Sequence, residues 1–221
     1  MRKIFVFKKN KLEKCIKKYI NSGTCLKFTE ITTGKFNASF YVNTDDRDYV
    51  LRVAPSPDSG FIFYEKDMMR QEPALHKVIL ENTNVPVARI YAYDDSRDII
   101  PRDFLIMEKL PGVALSQSMV QDPAKTLFQT GEYLRQVHDI KASKYGYLGE
   151  HHPMEPCSSW AAAFSIMWEK LVNGIVETGH YNQSEADSLK LLLQKHIEYF
   201  DRPVDSSLLH MDIWSQNILV D

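Results

Sequence analysis

Three absences narrow the reading of this chain before any motif is considered. Cysteine is scarce: Cys15, Cys25 and Cys157 are odd in number and lack C-x-x-C spacing, which excludes a disulfide framework and a cysteine zinc site and fits a reduced compartment. No apolar run approaches the ~20 residues of a membrane span, and the start, Met1-Arg-Lys-Ile-Phe-Val-Phe-Lys-Lys, is too short in apolar residues for a signal-peptide core. Charge of one sign is lacking too, since 27 Lys and Arg against 29 Asp and Glu leave a net charge of −2. That balance points to neither nucleic acid nor an anionic membrane as a partner. A cytoplasmic protein is the expectation. With 221 residues and 44% hydrophobic content the chain can bury a substantial core, in one large domain or two small ones.

What is present is concentrated near the C-terminus. Leu208-Leu209-His210-Met211-Asp212 is followed, after four residues, by Asn217-Ile218-Leu219-Val220-Asp221. This reads as strand, catalytic loop, strand in a kinase-like phosphotransferase. The spacing lets one loop serve two needs: Asp212 accepts or orients the proton of an attacking hydroxyl, and Asn217 turns its carbonyl toward a Mg²⁺ that neutralises nucleotide phosphates. His210 braces the loop. Taken alone, an Asp and an Asn are equally at home in an ordinary turn.

The order of the other segments agrees with the motif. Glu30 to Thr44 reads as a strand, a turn around Gly34 to Asn37 and a returning strand, and Tyr49 to Ala54 as a third strand ended by Pro55 and Pro57. In a kinase-like fold the hairpin covers the phosphates and the third strand carries the cation that holds them, here Arg52. A helical stretch over Lys66–Leu80 places Glu72 to pair with Arg52, in a geometry that can be bidentate, and Pro73 marks a start or a kink. Phe104-Leu-Ile-Met-Glu-Lys-Leu-Pro-Gly112 describes a buried strand entering an extended linker. The backbone of Glu108 and Leu110 can pair with adenine there, with Met107 at the back of the pocket.

The remaining segments are helical. Leu12, Cys15, Ile16, Tyr19 and Ile20 among lysines predict an amphipathic helix over residues 9–22 capping the small lobe. Leu127, Phe128, Gly131, Leu134, Val137 and His138 predict a buried helix over 123–140, with His138 a hydrogen-bonded core residue. Lys141–Pro156, with His151-His152, is expected to be a solvated loop. Trp160, Phe164, Met167, Trp168, Leu171 and Ile175 predict a core-facing helix over 158–178, and Asn182 or Ser184 caps another over 182–200. No repeat or low-complexity tract appears.

Gly34…Asn37, Tyr49-Val-Leu-Arg-Val, Arg70-Gln-Glu72, Val85-Pro-Val, Leu105 to Gly112, Leu134-Arg-Gln-Val-His138 and His210 to Asp221 together resemble the aminoglycoside phosphotransferase family, in the family's order, over residues 28–221. The resemblance implies a protein-kinase-like two-lobe α+β fold. Residues 1–107 would form a small antiparallel-sheet N-lobe, 108–118 the hinge, and 119–221 a mainly helical, C-terminally incomplete C-lobe. It implies transfer of a phosphoryl group from ATP, or GTP, with Mg²⁺, to a hydroxyl of a small molecule. Arg52 takes the phosphate role, Glu72 its partner role, Glu108 to Leu110 the hinge, Asp212 the catalytic role and Asn217 a metal role. It also allows Trp160 or Trp168 to contact the acceptor.

Two departures qualify the resemblance. The family's His-Gly-Asp is His210-Met211-Asp212, replacing a permissive glycine with a side chain expected to need packing. The family's second metal carboxylate lies beyond the position of Asp221, which matches a different family position. The expectation is therefore a piece of a longer kinase or a shortened, degenerate one, with a non-catalytic nucleotide-binding protein as the rival function.

Overall fold

The computed structural model describes residues 7–21, 26–32, 34, 36–57 and 60–221. Met1–Val6, Cys25, Thr33 and Lys35, which figure in the sequence reading, lie outside them. The N-terminal half is a five-stranded antiparallel sheet of β1 (Lys27–Ile31), β2 (Ala38–Asn43), β3 (Asp48–Val53), β4 (Ile90–Asp94) and β5 (Phe104–Glu108), in the order β1-β2-β3-β5-β4. Alternation drives it. Ala38, Phe40 and Val42 of β2 point inward, while β3 buries Tyr49, Leu51 and Val53 on the same face. Fully buried residues such as Leu51 and Ile106 each contribute roughly 1.5–3 kcal/mol.

Helix α1 (Lys9–Tyr19) closes that core with Leu12, Cys15 and Ile16, as its periodicity predicts. A polar clasp fixes its end: Lys18 Nζ and Tyr19 Oη donate to Asp94 Oδ2 at 2.7 and 3.0 Å. Burial acts to raise the Asp94 carboxyl, but the hydrogen bonds from Lys18, Ser96 and Tyr19 prevail and hold it at about 2. Burial pushes the Cys15 thiol up to about 12, which leaves it inert.

After a 3₁₀ turn at Met68–Gln71, α2 (Glu72–Asn82) starts where Pro73 can occupy its first turn without losing a helical hydrogen bond. Pro73 therefore marks the start and not a kink. The chain leaves β5 through β6 (Val113–Ala114) into α3 (Pro123–His138), β7 (Lys141–Ala142), α4 (Trp160–Glu177), α5 (Gln183–His196), β8 (Ser206–Ser207) and β9 (Leu219–Val220). Helix α5 opens with a capping box between Asn182 and Glu185.

Three expectations fail in this half. Helix α3 buries only Val137, and Leu127 and Phe128 are 62% and 70% exposed. Its apolar spacing permits a buried face but does not compel one. The His138 ring is half-buried and makes no hydrogen bond among the described residues; only its carbonyl is used, accepting from Lys141 Nζ. His151, placed in a solvated loop by its polar neighbours, is 2% exposed. Helix α4 buries Ala163 and Val172, while its aromatics form a half-buried ladder: Trp160, Phe164 and Trp168 follow one another, and Phe200 stacks on Phe164 at 4.5 Å.

Candidate active site

The loop between β8 and β9 is held at both ends by short backbone pairings. On the incoming side β8 pairs with β7, and the Leu208 N–H donates to the Ile140 carbonyl at 2.9 Å. On the outgoing side β9 pairs with β6, and the Leu115 and Ser116 N–H groups donate to Ile218 and Ser215. Gly112 makes this second junction possible. Its φ is +93°, and a Cβ there would lie 2.5 Å from the Val220 carbonyl oxygen, so only glycine fits.

Between these clamps, Asn217 Nδ2 donates to the Asp212 carbonyl at 2.9 Å and to Asp212 Oδ2 at 2.8 Å. The amide thereby tethers the carboxylate, and the Asn217 Oδ1 oxygen is left without a donor among the described residues. The Asp212 N–H donates to His210 Nδ1 at 3.3 Å, a hydrogen bond within the loop. Both Asp212 and Asn217 are solvent-exposed. Met211, expected to be packed, is 82% exposed and sits at φ +65°. What the position demands is the left-handed backbone, not room for a side chain.

Across the sheet, Arg52 Nη1 donates to Glu72 Oε2 at 2.5 Å. The pair joins a rigid central strand to the first turn of α2. The contact is single, not the bidentate one that is possible for this pair, and the other guanidinium nitrogens have no partner among the described residues. Burial raises the Glu72 carboxyl above its ordinary value, against the opposing pull of Arg52 and His76. Glu72 also lines a cavity of about 170 Å³ together with Phe36 and Asn37 from the β1–β2 hairpin tip. Phe36 stacks on Phe61 at 5.8 Å, so the hairpin leans on the segment that leads to α2. Gly34 lies at this tip, where a Cβ would meet the Asn37 carbonyl at 3.5 Å.

At the end of β5, Met107 is half-buried between Val50 and Ile90. The Glu108 N–H is spent on the Arg89 carbonyl at 2.8 Å, which removes it as a ligand for a base. The Leu110 N–H carries no partner among the described residues. Lys109, which the sequence reading passed over, pins the linker by donating to Asp48 Oδ2 at 2.7 Å and lying 5.1 Å over the Tyr41 ring. Its signal in the sequence is no more than a lysine in a Glu-Lys-Leu-Pro run.

The donors fit a magnesium nucleotide in part. A Mg²⁺ ion takes oxygens from one or two protein groups and fills the rest of its shell with phosphate and water. Asn217 Oδ1 is such a group. Among the described residues no cluster of three or more His, Cys, Asp or Glu side chains could hold a metal by itself.

The model of the phosphotransferase enzyme family, APH, matches residues 27–221. The chain belongs to this family. Its fold is that of the family's solved structures. A Ralstonia eutropha protein assigned as an aminoglycoside phosphotransferase superposes with a TM-score of 0.57 at 20% identity, over 97% of this chain and 61% of that one. A Haemophilus somnus protein assigned as a fructosamine-3-kinase does so with 0.57 at 19%, over 86% and 62%. Aminoglycoside phosphotransferase APH(4)-Ia, as a ternary complex with AMP-PNP and hygromycin B, does so with 0.61 at 14%, over 95% and 66%. The chain thus spans about 61–62% of the length of the first two. Comparison with curated proteins finds no match. No helix among the described residues is long and apolar enough to cross a membrane.

Proposed function

We propose that this phosphotransferase chain carries the nucleotide site and catalytic loop of an ATP-dependent kinase for a hydroxyl group on a small molecule. The observation that carries the reading is the tether between Asn217 and Asp212. One amide fixes the carboxylate that receives the acceptor proton and keeps its own oxygen available for a cation. The bound magnesium nucleotide supplies the phosphoryl group and the charge neutralisation.

The chain's own residues do the positioning. The Leu110 N–H donates to the base, Arg52 offers its unpartnered N–H groups to the phosphates, and Asp212 orients the acceptor hydroxyl and takes its proton. GTP could meet the same backbone donor. APH(4)-Ia, with AMP-PNP and hygromycin B bound, is a fold relative that holds a nucleotide and a hydroxylated acceptor together.

A thermal-shift titration with ATP, with and without Mg²⁺, tests this. The melting temperature is expected to rise with ATP concentration, more so with Mg²⁺, and Arg52→Ala is expected to reduce the rise. A flat response to ATP under both conditions would remove the nucleotide site from the reading.

A further inference from the structure

Helix α2 carries the partner of Arg52, yet none of its residues is fully buried. Its own anchors are few, among them His76 Nδ1, which donates to the Ala88 carbonyl at 2.6 Å. The turn that leads into Glu72 is anchored within the N-terminal half by buried Met69 and by Arg70 beside Asp103 at 3.7 Å, and it is met from the C-terminal half by the loop between α3 and α4. That loop is closed at its neck, where Tyr145 and Cys157 exchange backbone hydrogen bonds at 2.8 Å in both directions. Inside it Tyr147 meets the His151 ring edge to face at 5.3 Å. It therefore acts as a preformed unit and not a loose connection.

Two of its residues reach the N-terminal half. The His151 ring donates from Nε2 to the Tyr64 carbonyl at 3.0 Å, since a carbonyl can only accept. Burial lowers the pKa of His151, which keeps the ring neutral with that nitrogen protonated. Gly149, at φ +63°, lies against the turn itself: a Cβ there would be 2.9 Å from Ala74 Cβ, 3.4 Å from the Arg70 carbonyl and 3.5 Å from Gln71 Cα. These contacts bracket Glu72 on both sides. Nearby, Lys170 of α4 lies 5.7 Å over the Phe63 ring.

We infer that Gly149 and His151 are positioning residues that set where Glu72 stands, and through it how the Arg52 guanidinium is presented to the nucleotide. Arg52 sits on a central strand and cannot follow if the α2 turn moves, so a displaced turn lengthens the ion pair. The α3–α4 loop is thus the device by which the helical half controls the phosphate-binding cation. The part played by nucleotide rests on the function proposed above, whereas the coupling between loop and ion pair does not.

The experiment is ¹⁵N NMR of the 221-residue chain without nucleotide, following the Arg52 Nε–H signal, assigned by its loss in Arg52→Ala and by its shift in Glu72→Gln. Gly149→Ala should move that signal toward its Glu72→Gln position. The second substitution Ala74→Gly, which removes the methyl group facing the new one, should return it. His151→Ala should move the signal likewise, and His151→Gln, which keeps a donor for the Tyr64 carbonyl, should restore it at least in part. With ATP, Gly149→Ala should weaken binding roughly tenfold, the scale of one impaired charge-assisted hydrogen bond, and should add nothing in the Arg52→Ala background.

An Arg52 signal that stays at its wild-type position in folded Gly149→Ala and His151→Ala overturns the inference. If Gly149→Ala does not fold, the His151→Ala and His151→Gln pair decides it. If the wild-type chain binds no ATP, the proposed nucleotide site fails, and the nucleotide-free signal still decides the coupling.

Discussion

Met211 stands one residue before the proposed base in a backbone conformation that L-residues rarely adopt, and its side chain projects into solvent. A left-handed residue costs roughly 1–2 kcal/mol, part of which glycine gives back through its greater freedom when unfolded. Met211→Gly should therefore stabilise the fold by up to about 1 kcal/mol, seen as a higher denaturant midpoint at unchanged slope. No gain would mean that the methionine makes compensating contacts. Asp212→Ala should leave ATP affinity within about twofold, because the role proposed for Asp212 is with the acceptor and not the nucleotide, while lowering turnover by about 10²–10⁴-fold, measured in the longest native chain that shows activity. Equal turnover in the variant would dismiss Asp212 as the base.

Among the elements, α1 depends most on one buried carboxylate. Asp94 is held at about 2, below its unfolded value, so its clasp stabilises the fold at neutral pH and is lost as pH falls through the interval from about 4 to about 2. The amount at stake is about 2 kcal/mol. Asp94→Asn should lower stability at pH 7 and flatten its decline across that interval, read from denaturation midpoints at a series of pH values; parallel curves for both proteins would refute the linkage. The β6–β9 clamp depends in the same way on Gly112. Gly112→Ala, which sets a methyl group against the Val220 carbonyl, should cost roughly 1–3 kcal/mol and loosen the loop that carries Asn217. Amide exchange at Leu115 and Ser116 should then accelerate, and unchanged protection there would show that β9 can shift aside.

Over the whole molecule, the two halves are read with unequal ease from the chain. The sheet was legible because its strands alternate inward and outward residues over turns rich in Asn, Asp, Gly and Pro, and this period needs no distant partner to interpret. The pairing in the loop between β8 and β9 is legible because Asp212 and Asn217 meet through five residues of local chain, which sequence spacing reports. Helix α3 was misjudged because a helical apolar stripe states which face could be buried and not whether anything lies opposite. The burial of His151 is not legible because its sequence neighbours are polar, while the carbonyl its ring meets belongs to Tyr64, far away in the chain.

Local pattern alone determined the strands, the order of the motifs and a helix start at Asn182 or Ser184, while at Pro73 it left a start or a kink open. Each follows from forces that act within a few residues: steric limits on the backbone, capping hydrogen bonds and the period of apolar side chains. Tertiary structure decided which backbone donors of the linker are unpartnered among the described residues, since the Glu108 N–H is consumed by the Arg89 carbonyl and the Leu110 N–H is not. It decided that Met211 is strained and exposed, that Gly112 is irreplaceable beside Val220, and that Gly149 lies against the turn bearing Glu72. These are contacts between segments distant along the chain, and their energies depend on distances of a few ångströms that no sequence period encodes.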